Sequence, residues 1–369
     1  MKFRNYIKNY ILLLLIIIIT ALFANSLKLK ACTSFCLNQN NQFIHAKNLD
    51  WDINDGNLYV NKRSISKEAF TDGKKIIWTS KFGSITFNQF GKEFPLGGMN
   101  EVGLVIEELN SFGLGPQSDS LYKMNEFQWI QYHLDNYSSV NEIVNLKSPI
   151  VVKPFFVGLH YIISDKKGDV AIIEFYNDKH FIYHGNDIIY PILSNNKYSN
   201  SLNYIQNFIG FGGDLQIRNQ RSSNERFVKA AYLIKKLNNN KENSLVKEAF
   251  AILDSLKQHD TQWSIVYNIS DLQIEFKTST CPYIKTINLK KFDFSCDSPI
   301  KFHSVTSKES GNIDLKFEVL EPHINTKLLS NVFEKYIMYE LGDLKKEEFL
   351  DLSNYGNSIH CNKQNITIF

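Results

Sequence analysis

Between residues 33 and 110 the chain carries a succession of short runs rich in β-branched and aromatic residues, with no helical periodicity between them. Runs at 33–37 and 43–47 flank the polar stretch Asn38-Gln-Asn-Asn-Gln42, which predicts a hairpin because Asn tolerates turn backbone. Further strands are predicted at 58–61, 76–81, 84–88 and 102–109, punctuated by Gly83, Gly91, Gly97, Gly98 and Gly103. Helical spacing then takes over. Phe127, Ile130 and Leu134 mark a helix over 125–137, and Ser139 with Glu142 has the form of a capping box for a second. Strands return at 157–164, 170–175 and 188–193, helices at 224–237 and 243–256, and a hairpin at 263–269 and 272–278. After Cys296 the pattern is less regular, but Leu328, Leu329, Val332, Tyr336 and Ile337 share one helical face, so this tail is expected to pack on the body. Blocks of strands separated by blocks of helices predict an α+β layered fold rather than an alternating parallel sheet.

The first residues read as a targeting segment. Lys2, Arg4 and Lys8 precede an apolar run at 11–24 that ends in Ala21-Leu-Phe-Ala24, a small-residue cleavage site. The run is short for a bilayer span, which needs about 20 residues. The expectation is a removed segment covering 1–31, a main domain over 32–297 and an extension over 298–369. The protein would be exported, periplasmic or secreted, with no stable membrane span left after cleavage. Export gives meaning to the five cysteines, Cys32, Cys36, Cys281, Cys296 and Cys361, because an oxidising compartment lets an even subset pair. The pairing is open, as is self-association into a homo-oligomer. A net charge of +3 over 369 residues, without a Lys/Arg stripe, argues against nucleic acid as a partner.

Cys32 lies just beyond this segment. Cleavage after Ala31 would leave it with both a thiol and a free α-amine. The amine has an ordinary pKa of about 7.7–8.0 and the thiol one near 8.5, so nucleophile and base would sit on one residue. The residues that follow carry a resemblance. Cys32-Thr-Ser-Phe35 and Ala46-Lys-Asn-Leu-Asp-Trp51 are similar to the opening of the choloylglycine hydrolase and penicillin V acylase family of N-terminal-nucleophile hydrolases. In the same order come Gly97-Gly-Met-Asn-Glu-Val-Gly-Leu104, Leu159-His-Tyr-Ile-Ile-Ser-Asp165, Leu193-Ser-Asn-Asn196, Glu225-Arg-Phe-Val-Lys-Ala-Ala231 and Thr261-Gln-Trp-Ser-Ile-Val266. The likeness therefore extends over about 32–289.

That resemblance implies a four-layer αββα sandwich and a cysteine-dependent hydrolase of linear amides. It implies Cys32 as nucleophile and, through its amine, general base, with Asp50 orienting the amine. The Asn100 backbone N–H and the Asn195 side-chain amide would form the oxyanion hole, and Arg226 would hold the nucleophile region, placed in the first turn of a helix capped by Ser222 and Glu225. The implied partner is a small N-acyl amide; bile salts, penicillin V and acyl homoserine lactones are not told apart. No cofactor or metal is called for. One position departs: Lys47 stands where the family usually has Arg, keeping the charge and losing the planar fork. Two other readings compete. Leu29-Lys-Ala-Cys32 loosely resembles a lipobox, which would make this a lipid-anchored binding protein with Cys32 as the lipidation site. A Cys–His thiol enzyme would need a histidine such as His45 or His160 beside Cys32.

Overall fold

The computed structural model describes residues 32–361 apart from 72–75, 112–122, 148–149, 177–178, 219–221, 238–243, 340 and 342–343. The targeting segment expected at the N-terminus lies outside the described residues. The first hairpin forms as its composition predicts. Thr33–Gln39 and Gln42–Asp50 pair in antiparallel register down to Gln39 opposite Gln42. Asn40 and Asn41 between them take φ of 52° and 60°, the two left-handed positions of a type I′ turn.

That hairpin lies in a seven-stranded sheet, sheet I. Its spatial order is Ile192–Ser194, Thr33–Gln39, Gln42–Asp50, Thr261–Asn268, Gln273–Thr278, Cys281–Asn288 and Gly311–Asn312. A nine-stranded sheet II faces it, in the order Lys179–His184, Val170–Tyr176, Leu159–Ser164, Val105–Asn110, Pro95–Asn100, Ser84–Asn88, Asn57–Asn61, Lys301–Ser304 and Glu318–Val319. The two inner faces interdigitate through large rings. Phe87 of sheet II meets Trp263, Tyr267 and Phe276 of sheet I, with its ring 5.3 Å from that of Phe276.

Helices cover both outer faces. On sheet I lie α3 (Tyr198–Ile205), α4 (Ser223–Lys235) and α5 (Leu245–Leu256); on sheet II lie α1 (Glu126–Asn136) and the short α2 (Val140–Val144). Trp129 of α1 stacks on Tyr161 of sheet II with ring centroids 4.3 Å apart. The result is an αββα sandwich. Several strands differ from the sequence reading. The run predicted from 188 reaches strand geometry only at Ile192–Ser194, and 102–109 becomes Val105–Asn110 because residues 101–104 form a tight turn.

The C-terminal residues do more than pack on the body. Lys301–Ser304 pairs with Asn57–Asn61 and extends sheet II, so the sheet crosses the boundary expected at 297. Two helices, α6 (Pro322–Met338) and α7 (Lys346–Ser358), then pack on each other, and Cys296 is disulfide-bonded to Cys361. Asn325 of α6 is the buried pin: its Oδ1 accepts from the Tyr59 hydroxyl at 3.2 Å and the Lys92 N–H at 2.8 Å. Its Nδ2 donates to Ser353 O at 3.3 Å and Asn357 Oδ1 at 3.2 Å. Gly356 allows α7 to close on this region, since a Cβ there would lie 2.8 Å from the Lys92 carbonyl oxygen. Asn325→Ala leaves buried groups on both sides unpaired, and each such group costs about 1–3 kcal/mol. Urea denaturation should show a loss of at least about 2 kcal/mol; a change within error would mean that the pin carries no stability.

Candidate active site

Cys32 precedes the first strand, and the register of that strand sets its surroundings. Thr33 pairs with Asn48 on one side and Ser194 on the other, so Cys32 falls beside the end of Gln42–Asp50 and the start of the turn after Ser194. Cys32 is 5% exposed, and its thiol takes a hydrogen bond from the Asp50 backbone N–H. Asp50 is paired across the sheet with Thr261, whose hydroxyl donates to Asp50 Oδ1. Asp50 Oδ2 is buried and accepts no hydrogen bond from a described residue.

Arg226 joins these pieces. Ser222 and Glu225 form the capping box that their spacing predicts, which starts α4 one residue after Ser222 and puts Arg226 in its first turn. From there the buried guanidinium donates through Nε to Thr33 Oγ1 at 2.9 Å, and through one terminal nitrogen to Cys32 O at 3.3 Å and Asn195 Oδ1 at 3.2 Å. The Asn195 amide, so oriented, donates through Nδ2 to the carbonyl of Asn110 at 2.8 Å. Cys32, Asp50, Asn195 and Arg226 thus converge.

Asn100 does not join them. Its backbone N–H is used by Leu104 O at 2.9 Å, closing the 100–104 turn. Its Oδ1 accepts from Leu104 N at 2.9 Å and Val102 N at 3.3 Å, and its Nδ2 ties down the end of α1 at Leu134 O and Tyr137 O. Met99 pairs with Val105, whereas the residue that meets Asn195 is Asn110, at the other end of the same strand. Five residue steps separate those ends, roughly 17 Å. The Asn-Glu-x-Gly-Leu segment is a hairpin turn, and the expectation of an Asn100 oxyanion donor is corrected. Asn110 carries no signal in the sequence, because a lone Asn after a strand has no distinctive spacing.

Lys47 points into a buried charge cluster near Cys32. Its Nζ lies 2.8 Å from Glu107 Oε2, 3.1 Å from Glu108 Oε1 and 3.4 Å from Leu96 O. Glu107 also accepts from the Tyr267 hydroxyl of sheet I. Gly97 makes room for this, because a Cβ there would stand 2.3 Å from the Glu107 carboxyl carbon. Burial alone would lower the Lys47 pKa, but the two carboxylates hold it above the ordinary lysine value. The signal for these partners was in the sequence: Val-Ile-Glu-Glu-Leu-Asn is a strand with two consecutive carboxylates, and buried charges require a cation.

Electrostatics divide the work. Burial pushes the Cys32 thiol up to about 12; Lys47 opposes this, and the charges of Glu108 and Asp50 add to it. Such a thiol stays protonated near neutrality and needs a base in contact with it. His45 is not that base. Its ring is hydrogen-bonded between Ser34 Oγ at 2.9 Å and Ser164 Oγ at 2.7 Å, and burial, with Lys47 next, lowers its pKa to about 3. His160 is paired with Glu174 at 3.0 Å inside the sandwich. Among the described residues no group of three or more His, Cys, Asp or Glu could hold a metal ion.

An αββα sandwich with a cysteine at the head of its first strand, and Asp, Asn and Arg around that cysteine, is the architecture of the N-terminal-nucleophile hydrolase fold. A family model described as linear amide C–N hydrolases, choloylglycine hydrolase family, matches residues 32–302, and the chain belongs to that family. It is 26% identical over 312 residues to the penicillin V acylase of Pectobacterium atrosepticum, covering 72% of this chain and 82% of that protein. The structure of penicillin V acylase from Agrobacterium tumefaciens superposes with a TM-score of 0.70 at 24% identity, over 79% of this chain and 98% of that one. A mutant of the conjugated bile acid hydrolase of Clostridium perfringens gives a TM-score of 0.62 at 18% identity, over 76% and 98%.

Two outcomes test this arrangement. Lys47→Met strands two buried carboxylates and should destabilise the fold by about 3–5 kcal/mol in denaturant titrations. A loss below about 1 kcal/mol would mean the cluster is already neutral. Burial raises the Asp50 carboxyl to about 7, above its unfolded value of 3.8. The folded state therefore holds that proton more tightly. Its stabilising effect is complete below the unfolded pKa and is lost as pH rises through about 7. Asp50→Asn should flatten the stability profile between these limits, and an unchanged slope would assign the titration elsewhere.

Proposed function

We propose that the chain, once the residues before Cys32 are removed, hydrolyses the linear amide bond of a small N-acyl compound through an acyl-thioester on Cys32. The observation that carries this reading is the buried, unpartnered Oδ2 of Asp50 beside Cys32. A buried carboxylate oxygen without a donor is costly, and an α-ammonium on the neighbouring residue supplies the donor in place.

The steps use groups that converge at Cys32. The α-amine takes the thiol proton, and the sulfur attacks the acyl carbon. Charge develops on the carbonyl oxygen, where the second N–H of Asn195 Nδ2 is available, the first being committed to Asn110 O. The Asn110 side-chain amide makes no hydrogen bond to a described residue and serves as a second donor in place of Asn100. The ammonium returns the proton to the leaving nitrogen, the C–N bond breaks, and water, deprotonated by the same amine, releases the acid. Arg226 keeps the Cys32 carbonyl and Asn195 in fixed relation through this cycle.

Export into an oxidising compartment accompanies this reading. Its supports are the basic and apolar start of the chain and the Cys296–Cys361 disulfide. The lipid-anchor reading fits poorly, because a diacylglyceryl thioether on Cys32 would have to occupy a position that is 5% exposed. The test is a panel of N-acyl amides offered to protein whose first residue is verified by mass spectrometry as an unblocked Cys32. Turnover should vanish in Cys32→Ser with the fold retained. Asn195→Ala should lower kcat on the order of 10²–10³ with little change in KM. Full activity in Cys32→Ser overturns the mechanism; a KM effect alone in Asn195→Ala reduces that residue to binding.

A further inference from the structure

Asn195 is oriented from two ends. Arg226 holds its Oδ1 at 3.2 Å, and its Nδ2 donates to the Asn110 carbonyl at 2.8 Å. The first hold depends on the capped start of α4. The second depends on where the backbone at Asn110 lies, and the segment leading into Leu159–Ser164 holds that backbone. Leu159 pairs with Asn110, and the Ser111 N–H donates to Gly158 O at 2.8 Å. The three residues just before Gly158 all end on one side chain. The Phe155 N–H donates to Glu126 Oε2 at 2.6 Å, and those of Phe156 and Val157 donate to Glu126 Oε1 at 2.6 and 3.1 Å. Consecutive N–H groups closing on a carboxylate form the kind of cradle in which backbone holds an anion, and here the chain supplies the anion itself. Helix α1 does not need Glu126 as its cap, because Asn125 Oδ1 already accepts from the Gln128 N–H at 2.8 Å. Glu126 is fully buried, and its own carbonyl accepts from the Tyr161 hydroxyl at 2.8 Å. A continuous path of hydrogen bonds and adjoining peptide units therefore runs from the first residue of α1 to Asn195.

We infer that Glu126 is a positioning residue for the oxyanion side of the site: by clamping the backbone of 155–157 it sets Asn110, and through the Asn110 carbonyl it aims the free N–H of Asn195. Glu126 touches no reacting atom. It acts because a donor directed at a developing oxyanion works only in place, and a displacement of about 1 Å can cost on the order of 10²-fold in rate. Arg226 alone does not fix the aim, since a contact at Oδ1 leaves the other end of the amide free to swing.

This role rests on the amide hydrolase reading, and a double-mutant cycle separates the two. Turnover of an N-acyl amide that the mature wild type cleaves is measured for Glu126→Gln, Asn195→Ala and the double variant, each checked for native fold by circular dichroism. Glu126→Gln keeps the size of the side chain but removes its charge and turns an amide donor toward the N–H groups of 155–157. It should lower kcat at least about tenfold, with KM changed less than about twofold. With Asn195→Ala already present, the same substitution should lower kcat by under about threefold, because the amide it would misdirect is gone. A clamp that serves the fold alone would cost the same factor in both backgrounds, and that result overturns the positioning role. Wild-type kcat in Glu126→Gln overturns it too. If Glu126→Gln does not fold, Glu126→Asp, which keeps the charge and shortens the reach by a methylene, takes its place in the cycle under the same criteria. No cleavage of any N-acyl amide by protein with a verified free Cys32 overturns the hydrolase reading, and the positioning role with it.

Discussion

The guanidinium of Arg226 is the joint on which the site hangs. A buried arginine is tolerated only if its donors are met, and breaking such an arrangement costs several kcal/mol. Its partners come from two separate stretches of chain, the start of the first strand, through Thr33 and Cys32, and the turn after Ser194, through Asn195, and it ties both to helix α4. The capping box of Ser222 and Glu225 fixes where α4 begins and hence how far Arg226 reaches. Helical layer, sheet edge and nucleophile are thereby coupled, and none can shift without stranding a charge.

A second set of charges, further into the sandwich, answers the departure at position 47. An arginine there would offer a planar fork; the lysine offers a single ammonium, and this chain surrounds it with Glu107, Glu108 and a carbonyl. Gly97 and Tyr267 belong to the same adjustment, one vacating space and the other supplying a donor. Lys47 keeps its positive influence on the Cys32 thiol, while its partner Glu108 limits that influence. The substitution is thus not an isolated loss but one part of a rebuilt electrostatic pocket.

Much of this was legible in residue order alone. The Asn40–Asn41 turn, the strand Ser84–Asn88, the helices at 126–136 and 223–235 and the Ser222–Glu225 cap follow from local preference that tertiary structure does not override. The strand Pro95–Asn100 was illegible because Pro95, Gly97 and Gly98 read as loop; the smallness of the two glycines serves the close approach of Glu107 and of the neighbouring strand. Helix α7, with Gly356 and few apolar residues, gave no periodic signal. The Asn100 expectation failed for a different reason. A motif records that a segment is needed, not which end of it faces the chemistry, and here the need is a tight turn.

The closing of sheet II by residues from the far end of the chain bears on how the protein comes to be made. Asp50 and Thr261, 211 residues apart, are bonded within sheet I, and Asn57–Asn61 waits for Lys301–Ser304 in sheet II. A polypeptide emerging amino end first must hold its early strands unpaired at these positions until nearly all of it has been synthesised, and such distant pairings are slow to find. If the chain is threaded through a translocation channel, that delay works in its favour, because an unfinished sheet leaves it loose enough to pass.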